Sequence, residues 1–154
     1  MQMYVLALEN SENDLSLLTR HISDALGQLG EHRLSVKGFV HPEEALKFME
    51  QNECHILFVG TELCGMDSFR MAKTVQERYP DCHIVLVTAY EQHALEALQM
   101  HLRLSGYLMR PVTAQAIEAQ LKNMPITKKI SKNATLEYSD VFQERIGEIC
   151  LKIT

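Results

Sequence analysis

The chain has 154 residues, of which 46% are hydrophobic and 23% are charged, and its formal net charge at pH 7 is -5. These proportions are typical of a globular domain, and the net negative charge gives no general basis for binding nucleic acid or anionic lipid. No apolar run approaches the roughly 18 residues that cross a bilayer, and the N-terminus lacks the features of a secretory signal. We therefore expect a cytoplasmic protein with no membrane partner.

The first half of the chain alternates strand-like and helix-like patterns. Residues 4–8 form a continuous apolar run of the buried-strand type. From residue 12 the apolar positions recur at intervals of three and four, which predicts a helix that Gly30 ends. Residues 34–38 alternate as a more exposed second strand does, and Pro42 is typical of the first turn of a second helix.

The second half repeats this alternation. Short apolar runs predict three further strands, at residues 56–59, 84–87 and 106–109. Three further helices are predicted: one after a capping Asp67 or Ser68, one from about Glu91 to Arg103, and one after a capping Thr113. Five strands alternating with five helices predict an α/β fold, a doubly wound open parallel sheet.

The functional crevice of such a sheet lies outside the carboxyl ends of its strands. Glu9 and Asn10 follow the first predicted strand, and Gly60 follows the third. Thr88 follows the fourth strand, and Arg110 follows the fifth. We therefore expect these five residues to form the candidate site.

Three stretches of the sequence match motifs of a known family. Residues 105–113, which read SGYLMRPVT, are similar to a Tyr-x-x-Lys-Pro segment with arginine in place of lysine. Residues 86–89 (LVTA) match a Thr/Ser-Ala step, and residues 65–68 (GMDS) match part of a Met-Pro-Gly-Met-Asp-Gly loop. With these motifs the sequence resembles the receiver domain of bacterial two-component response regulators. The resemblance covers residues 1–123 and implies a flavodoxin-like, CheY-like sheet of strand order 2-1-3-4-5.

The resemblance also implies a chemistry that this sequence does not match. In the family, two acids after strand 1 and an Asp after strand 3 bind magnesium, and that Asp accepts a phosphoryl group. The corresponding positions here hold Glu9, Asn10 and Gly60, so one acid of the pair is missing and the acceptor position has no side chain. We interpret the chain as a pseudo-receiver with a degenerate phosphorylation site, with no catalytic residue, no enzymatic activity and no cofactor, and with magnesium binding lost or weak.

Two alternatives remain open for this site. A displaced acid, Glu62 or Asp67, could accept the phosphoryl group, although Asp67 is also placed to cap the third helix. An anion or small ligand could instead be held by Arg110 and Thr88. We expect Arg110 to pair with Glu9, since an isolated carboxylate in a crevice would be costly.

Tyr107 matches the aromatic residue that, in the family, changes rotamer on phosphorylation and alters the face made by helix 4, strand 5 and helix 5. Without a covalent trigger its rotamer is set by packing, and we expect a half-buried ring. The resemblance implies a protein partner or a homodimer through this face. It also implies a place in a transcriptional regulator, with DNA contacted only through an output domain that these 154 residues do not contain.

Residues 124–154 follow the receiver-like part. A basic, polar stretch at residues 127–133 is of the linker kind, and alternating apolar residues at 149–153 are a strand signal. We predict a linker and a short β-rich tail, the possible start of a truncated output domain.

The pairs Cys54-His55 and Cys82-His83 each open a predicted strand, so a parallel sheet could bring them side by side. Successive strand residues point to opposite faces, however, which splits each pair and argues against a metal site.

Overall fold

The computed structural model describes residues 2–62 and 67–124, so residues 63–66 and the predicted tail at 125–154 lie outside the described residues. Five strands and five helices alternate along the described chain. They are β1 (Met3–Leu8), α1 (Glu12–Gln28), β2 (Leu34–Phe39), α2 (Pro42–Gln51), β3 (Cys54–Gly60), α3 (Ser68–Arg78), β4 (His83–Thr88), α4 (Gln92–Gln99), β5 (Gly106–Met109) and α5 (Ala114–Lys122). None of the helices in these ranges is long and apolar enough to cross a membrane.

The strands form one parallel sheet of order β2-β1-β3-β4-β5, which confirms the predicted topology. Helices α1 and α5 contribute their buried residues to one apolar cluster with the sheet, and α2, α3 and α4 contribute theirs to another. The central strands are therefore covered on both faces. This explains why β1, β3 and β4 read as continuous apolar runs, while the edge strand β2 alternates between buried and exposed residues.

The predicted helix starts hold hydrogen bonds that satisfy the first-turn backbone. The side chains of Ser11, Asp67 and Thr113 accept hydrogen bonds from backbone N–H groups of α1, α3 and α5, respectively. Pro42 occupies the first turn of α2. These caps fix the direction in which each helix leaves the loop at the carboxyl ends of the strands.

Helix α4 is shorter than predicted, so the prediction that it extends to Arg103 is wrong. It ends at Gln99, and His101 adopts the left-handed conformation with φ of 60°. The N–H groups of His101 and Leu102 donate to the carbonyls of Leu98 and Ala97, which is the Schellman arrangement. The turn then directs Leu102 into the core as part of the connection to β5.

The first of the two Cys-His pairs contains a β-bulge, at His55, which the sequence does not predict. Tyr4 of β1 is opposite Cys54, while the next residue of β1 is opposite Ile56, so His55 is the extra residue. The rings of His55 and His83 meet with centroids 5.8 Å apart. Cys54 and Cys82 belong to the apolar cluster on the face of α2, α3 and α4. Among the described residues, no group of three or more His, Cys, Asp or Glu could hold a metal ion.

Candidate functional site

The carboxyl ends of β1, β3 and β5 bring Glu9, Gly60 and Arg110 together. Nη1 of Arg110 donates to Oε2 of Glu9 over 2.8 Å, and Nη2 donates to Oε1 over 2.6 Å. This is a bidentate, charge-assisted pair between residues 101 positions apart in the chain. Glu9 is only 1% exposed, whereas the side chain of Arg110 is 28% exposed. The arginine thus covers a buried carboxylate, as the sequence predicts.

Gly60 provides the space that this pair occupies. A Cβ atom placed on Gly60 would overlap with Oε1 of Glu9 and would lie 2.9 Å from Nη2 of Arg110. The carboxylate and the guanidinium therefore pack directly against the backbone at the end of β3. A side chain at position 60 and the ion pair in its present place exclude each other.

The charges around Arg110 are consistent with a stable cation. Hydrogen bonding to Glu9 raises the pKa of Arg110 above its ordinary value, partial burial opposes this rise, and the charges of Glu9, Asp14 and Glu62 add to it. Glu62 is exposed. The charge of Glu62 acts on Arg110, but the carboxylate that contacts Arg110 is that of Glu9.

Thr88 ends β4 with a buried hydroxyl group that other side chains already engage. Its Oγ1 is 2.6 Å from Nδ1 of His93, in the first turn of α4, and accepts a hydrogen bond of 3.1 Å from the backbone of Tyr90. Thr61 also lies within 3.3 Å of this hydroxyl. The ring of His93 packs edge-on against Phe69 of α3 and against Tyr90. Thr88 therefore ties the end of β4 to α3 and α4.

The other predicted site residues lie around this centre. Asn10 is exposed after β1, and the ring of Tyr107 is half-buried against the cluster of α2, α3 and α4. Asp67 accepts a hydrogen bond of 2.9 Å from the backbone of Phe69, so its carboxylate caps α3. The neighbouring Ser68 donates to the carbonyl of Gly60 over 2.5 Å and anchors the start of α3 to the end of β3.

These residues do not fit a magnesium ion. Such an ion needs an octahedral set of oxygen ligands, in which one or two protein carboxylates are free to bind it. Here the carboxylate of Glu9 is neutralised by the guanidinium of Arg110, and Gly60 contributes no side chain. A cation would have to displace Arg110 to reach that carboxylate.

Sequence reasoning found the strand-end residues but missed His93 and Ser68. His93 comes five residues after Thr88, in a stretch whose only recognised signal was the helical spacing of apolar residues. A histidine one turn into a helix that follows a strand-ending threonine could have suggested a hydrogen bond between them. The sequence indicates Asp67 or Ser68 as the cap of α3. The structure has Asp67 as the cap, and Ser68 contacts the end of β3 instead.

Comparison with known proteins identifies curated relatives that are regulators. The chain is 27% identical over 110 residues to the positive alginate biosynthesis regulatory protein of Pseudomonas aeruginosa, an alignment that covers 71% of this chain and 44% of that protein. It is 30% identical over 91 residues to the sensory transduction protein LytT of Bacillus subtilis, covering 59% of this chain and 36% of that protein. The transcriptional regulatory protein YpdB of Escherichia coli is 25% identical over 81 residues, which cover 53% and 32%. The chain spans less than half of the length of these relatives.

Solved structures share the fold at low sequence identity. The signal receiver domain of an HD domain-containing protein from Pseudomonas fluorescens superimposes with a TM-score of 0.67 at 17% identity and covers 92% of this chain and 99% of that one. The receiver domain of RcsB from Salmonella enterica gives 0.65 at 15% identity, with 90% and 99% covered. In addition, residues 13–122 match the response regulator receiver domain as a family. The chain therefore belongs to the response regulator receiver domain family of two-component signalling.

Proposed function

We propose that this receiver domain works without phosphorylation and transmits its signal through protein contact. The observation that carries the proposal is the ion pair of Glu9 and Arg110 packed over Gly60. The position from which the family's acceptor carboxylate would project is filled by this pair. Phosphoryl transfer needs a carboxylate in line with phosphorus to within a fraction of an ångström. Glycine supplies none.

The hydrogen bonds of the site support the same proposal. Both terminal nitrogens of Arg110 donate to Glu9, and the hydroxyl of Thr88 is engaged by His93 and Tyr90. In the family these two positions hold the phosphoryl oxygens. Here each is satisfied within the domain, so the arrangement is stable without a ligand.

The same contacts weigh against the anion-sensor alternative. An anion could bind Arg110 only by displacing the buried carboxylate of Glu9, which would then lose its partner. If a phosphorylated metabolite does bind, the unfolding midpoint must rise by mass action. A panel of such compounds in a thermal-shift measurement tests this alternative.

The face of α4, β5 and α5 is the surface through which we propose that the domain contacts its partner, either another protein or a second copy. Three of the four large apolar side chains most exposed in the described residues lie on or beside it: Tyr90 (48%), Met100 (39%) and Met109 (38%). Tyr90 also contacts His93, which binds Thr88, so this surface is joined to the site by direct contacts.

We further propose that the whole protein is a cytoplasmic transcriptional regulator. Longer relatives carry names such as transcriptional regulatory protein, and the chain matches less than half of each. DNA contact would then belong to an output domain, since the net charge of the 154 residues is -5.

The central experiment is incubation of the protein with magnesium and a small phosphodonor, followed by intact-mass measurement. A receiver domain with the complete set of acids is treated in parallel as the positive control. We expect a mass gain of one phosphoryl group for the control and none for this chain. A stable adduct that maps to Glu62 or Asp67, and that is lost in the variant E62Q or D67N, would overturn the proposal in favour of a displaced acceptor.

A further inference from the structure

Leu17 is the most exposed large apolar side chain in the described residues, at 50%, and it lies on α1, on the opposite face of the sheet from α4. It borders a cleft of about 330 Å³. Leu18 and Val112 form apolar walls of this cleft, Asp14 and His21 place polar groups on it, and the ion pair of the candidate site also lines it. The molecule thus presents an apolar projection directly beside an apolar recess.

Two polar groups of the cleft, Asp14 and His21, lie on α1 on either side of Leu17 and Leu18. Asp14, Leu17, Leu18 and His21 are spaced by three and four residues, so they share one side of the helix. If a second α1 packs antiparallel with its Leu17 against Leu18, the same register sets its His21 against Asp14. The contact repeats about the two-fold axis, because each helix then contributes both members of the pair.

We propose that this surface binds a second copy of the chain, through an antiparallel pair of α1 helices. Leu17 of each copy enters the cleft of the other and covers Leu18 and Val112. The carboxylate of Asp14 accepts a hydrogen bond from the imidazole of His21 of the second copy, which can donate one whether it is neutral or protonated. A single antiparallel alignment of the two α1 helices therefore makes both the apolar contact and the polar contact.

The proposal does not rest on the proposed function, because the chain is tested without a phosphodonor. Helix α1 packs on the opposite face of the sheet from α4 and beside α5, so this contact is centred on Leu17 of α1, whereas the exposed apolar side chains of the other face are those of Tyr90, Met100 and Met109. A single helix pair with its flanking cleft is smaller than a standard stable interface. The dimer is therefore weak and concentration-dependent.

Sedimentation velocity of the full 154-residue chain, from about 10 µM to about 500 µM, tests the proposal over the range in which a weak interface dissociates. We expect the weight-average sedimentation coefficient to rise with concentration as the dimer forms. Leu17→Glu, which places two carboxylates in the apolar contact, raises the Kd at least about tenfold. Gln51→Glu, which adds a carboxylate at an exposed position of α2, is the matched control and leaves the Kd unchanged. Met100→Glu tests the face of α4 separately.

A charge exchange between Asp14 and His21 tests the register itself. Asp14→His places two imidazoles against each other, and His21→Asp places two carboxylates against each other, so each single variant weakens the dimer. The double variant D14H/H21D restores the pair with the roles exchanged, and its Kd returns to within about threefold of the wild-type value. Circular dichroism confirms that all variants fold.

Three results would overturn the proposal. The first is a wild-type chain that stays monomeric at the highest concentration. The second is a dimer that survives Leu17→Glu but is lost in Met100→Glu, which would assign self-association to the face of α4. The third is a double variant no tighter than either single variant, which would rule out the proposed register.

Discussion

Replacing Arg110 with methionine removes the cation from a buried carboxylate while retaining much of the aliphatic volume. Glu9 is 1% exposed and accepts two hydrogen bonds, of 2.6 and 2.8 Å, from this arginine. Leaving a buried charge without its partner costs about 3–5 kcal/mol. The 28% exposure of the arginine side chain favours the lower end, since water can approach Glu9 from that side. We expect the variant to lose about 3 kcal/mol of its free energy of unfolding at pH 7.

Urea unfolding followed by circular dichroism measures this loss as a lower midpoint with an unchanged slope. The double variant E9L/R110M removes both charges, and we expect it to recover most of the stability because an apolar pair of similar size has no charge to desolvate. If the single variant matched the wild type at pH 7, or if the double variant were no more stable than the single one, the assignment of a buried, paired carboxylate would be refuted.

The pH dependence supplies a second readout for the same variant. Hydrogen bonding to Glu9 raises the pKa of Arg110, so the stability that the arginine contributes is fully present at neutral pH and is lost only under strongly alkaline conditions. The deficit of R110M should therefore stay constant from about pH 7 to about pH 9, and a deficit that disappears in this range would contradict the mechanism.

Three further predictions concern other parts of the domain. Gly60→Ala should cost about 1–3 kcal/mol in the wild type, because its Cβ overlaps with Glu9, but much less in E9L/R110M; equal costs in the two backgrounds would show that the pair does not occupy this space. Burial, with a smaller effect from His55, lowers the pKa of His83 from 6.5 to about 4, so the unfolded chain binds a proton there first; between pH 6.5 and pH 4 the free energy of unfolding, measured with urea, should fall by up to about 3 kcal/mol more than in His83→Phe. Parallel pH profiles would contradict this. Thr113→Ala should lose about 1 kcal/mol through the missing cap of α5 while Thr113→Ser retains it, both measured by urea unfolding; equal losses would rule out the cap.

The ends of α1 and α4 show which helix boundaries a sequence can predict. Both helices end in the same Schellman arrangement, with Gly30 in the left-handed conformation after α1 and His101 after α4. A glycine in the sequence indicates this conformation because glycine lacks a Cβ atom and adopts it without strain. Histidine does not, and the apolar spacing continues to Leu102, so the sequence indicates a longer helix than the one that forms. The burial of Leu102 after the turn offsets the strain at His101.

The site was more predictable than the contacts that support it. Parallel strands must bring their carboxyl ends to one edge, so Glu9, Gly60 and Arg110 could be placed together from strand positions alone. The pairing of Glu9 with Arg110 followed from the cost of an isolated buried charge. The bond from Thr88 to His93 and the bulge at His55 depend on the rotation of α4 and on strand register, which apolar periodicity does not specify.

The packing of Glu9 and Arg110 over Gly60 also determines which substitutions would be needed to give this domain an acidic acceptor site. An aspartate introduced at position 60 alone would collide with Glu9 and remain beside a guanidinium group. Removing Arg110 first would leave the buried carboxylate of Glu9 without its ion-pair partner. Each of these single substitutions lowers stability, and an acidic side chain at position 60 requires that the pair of Glu9 and Arg110 change as well. A single substitution at Glu9, Gly60 or Arg110 is therefore disfavoured by its cost in stability, independently of what the domain signals.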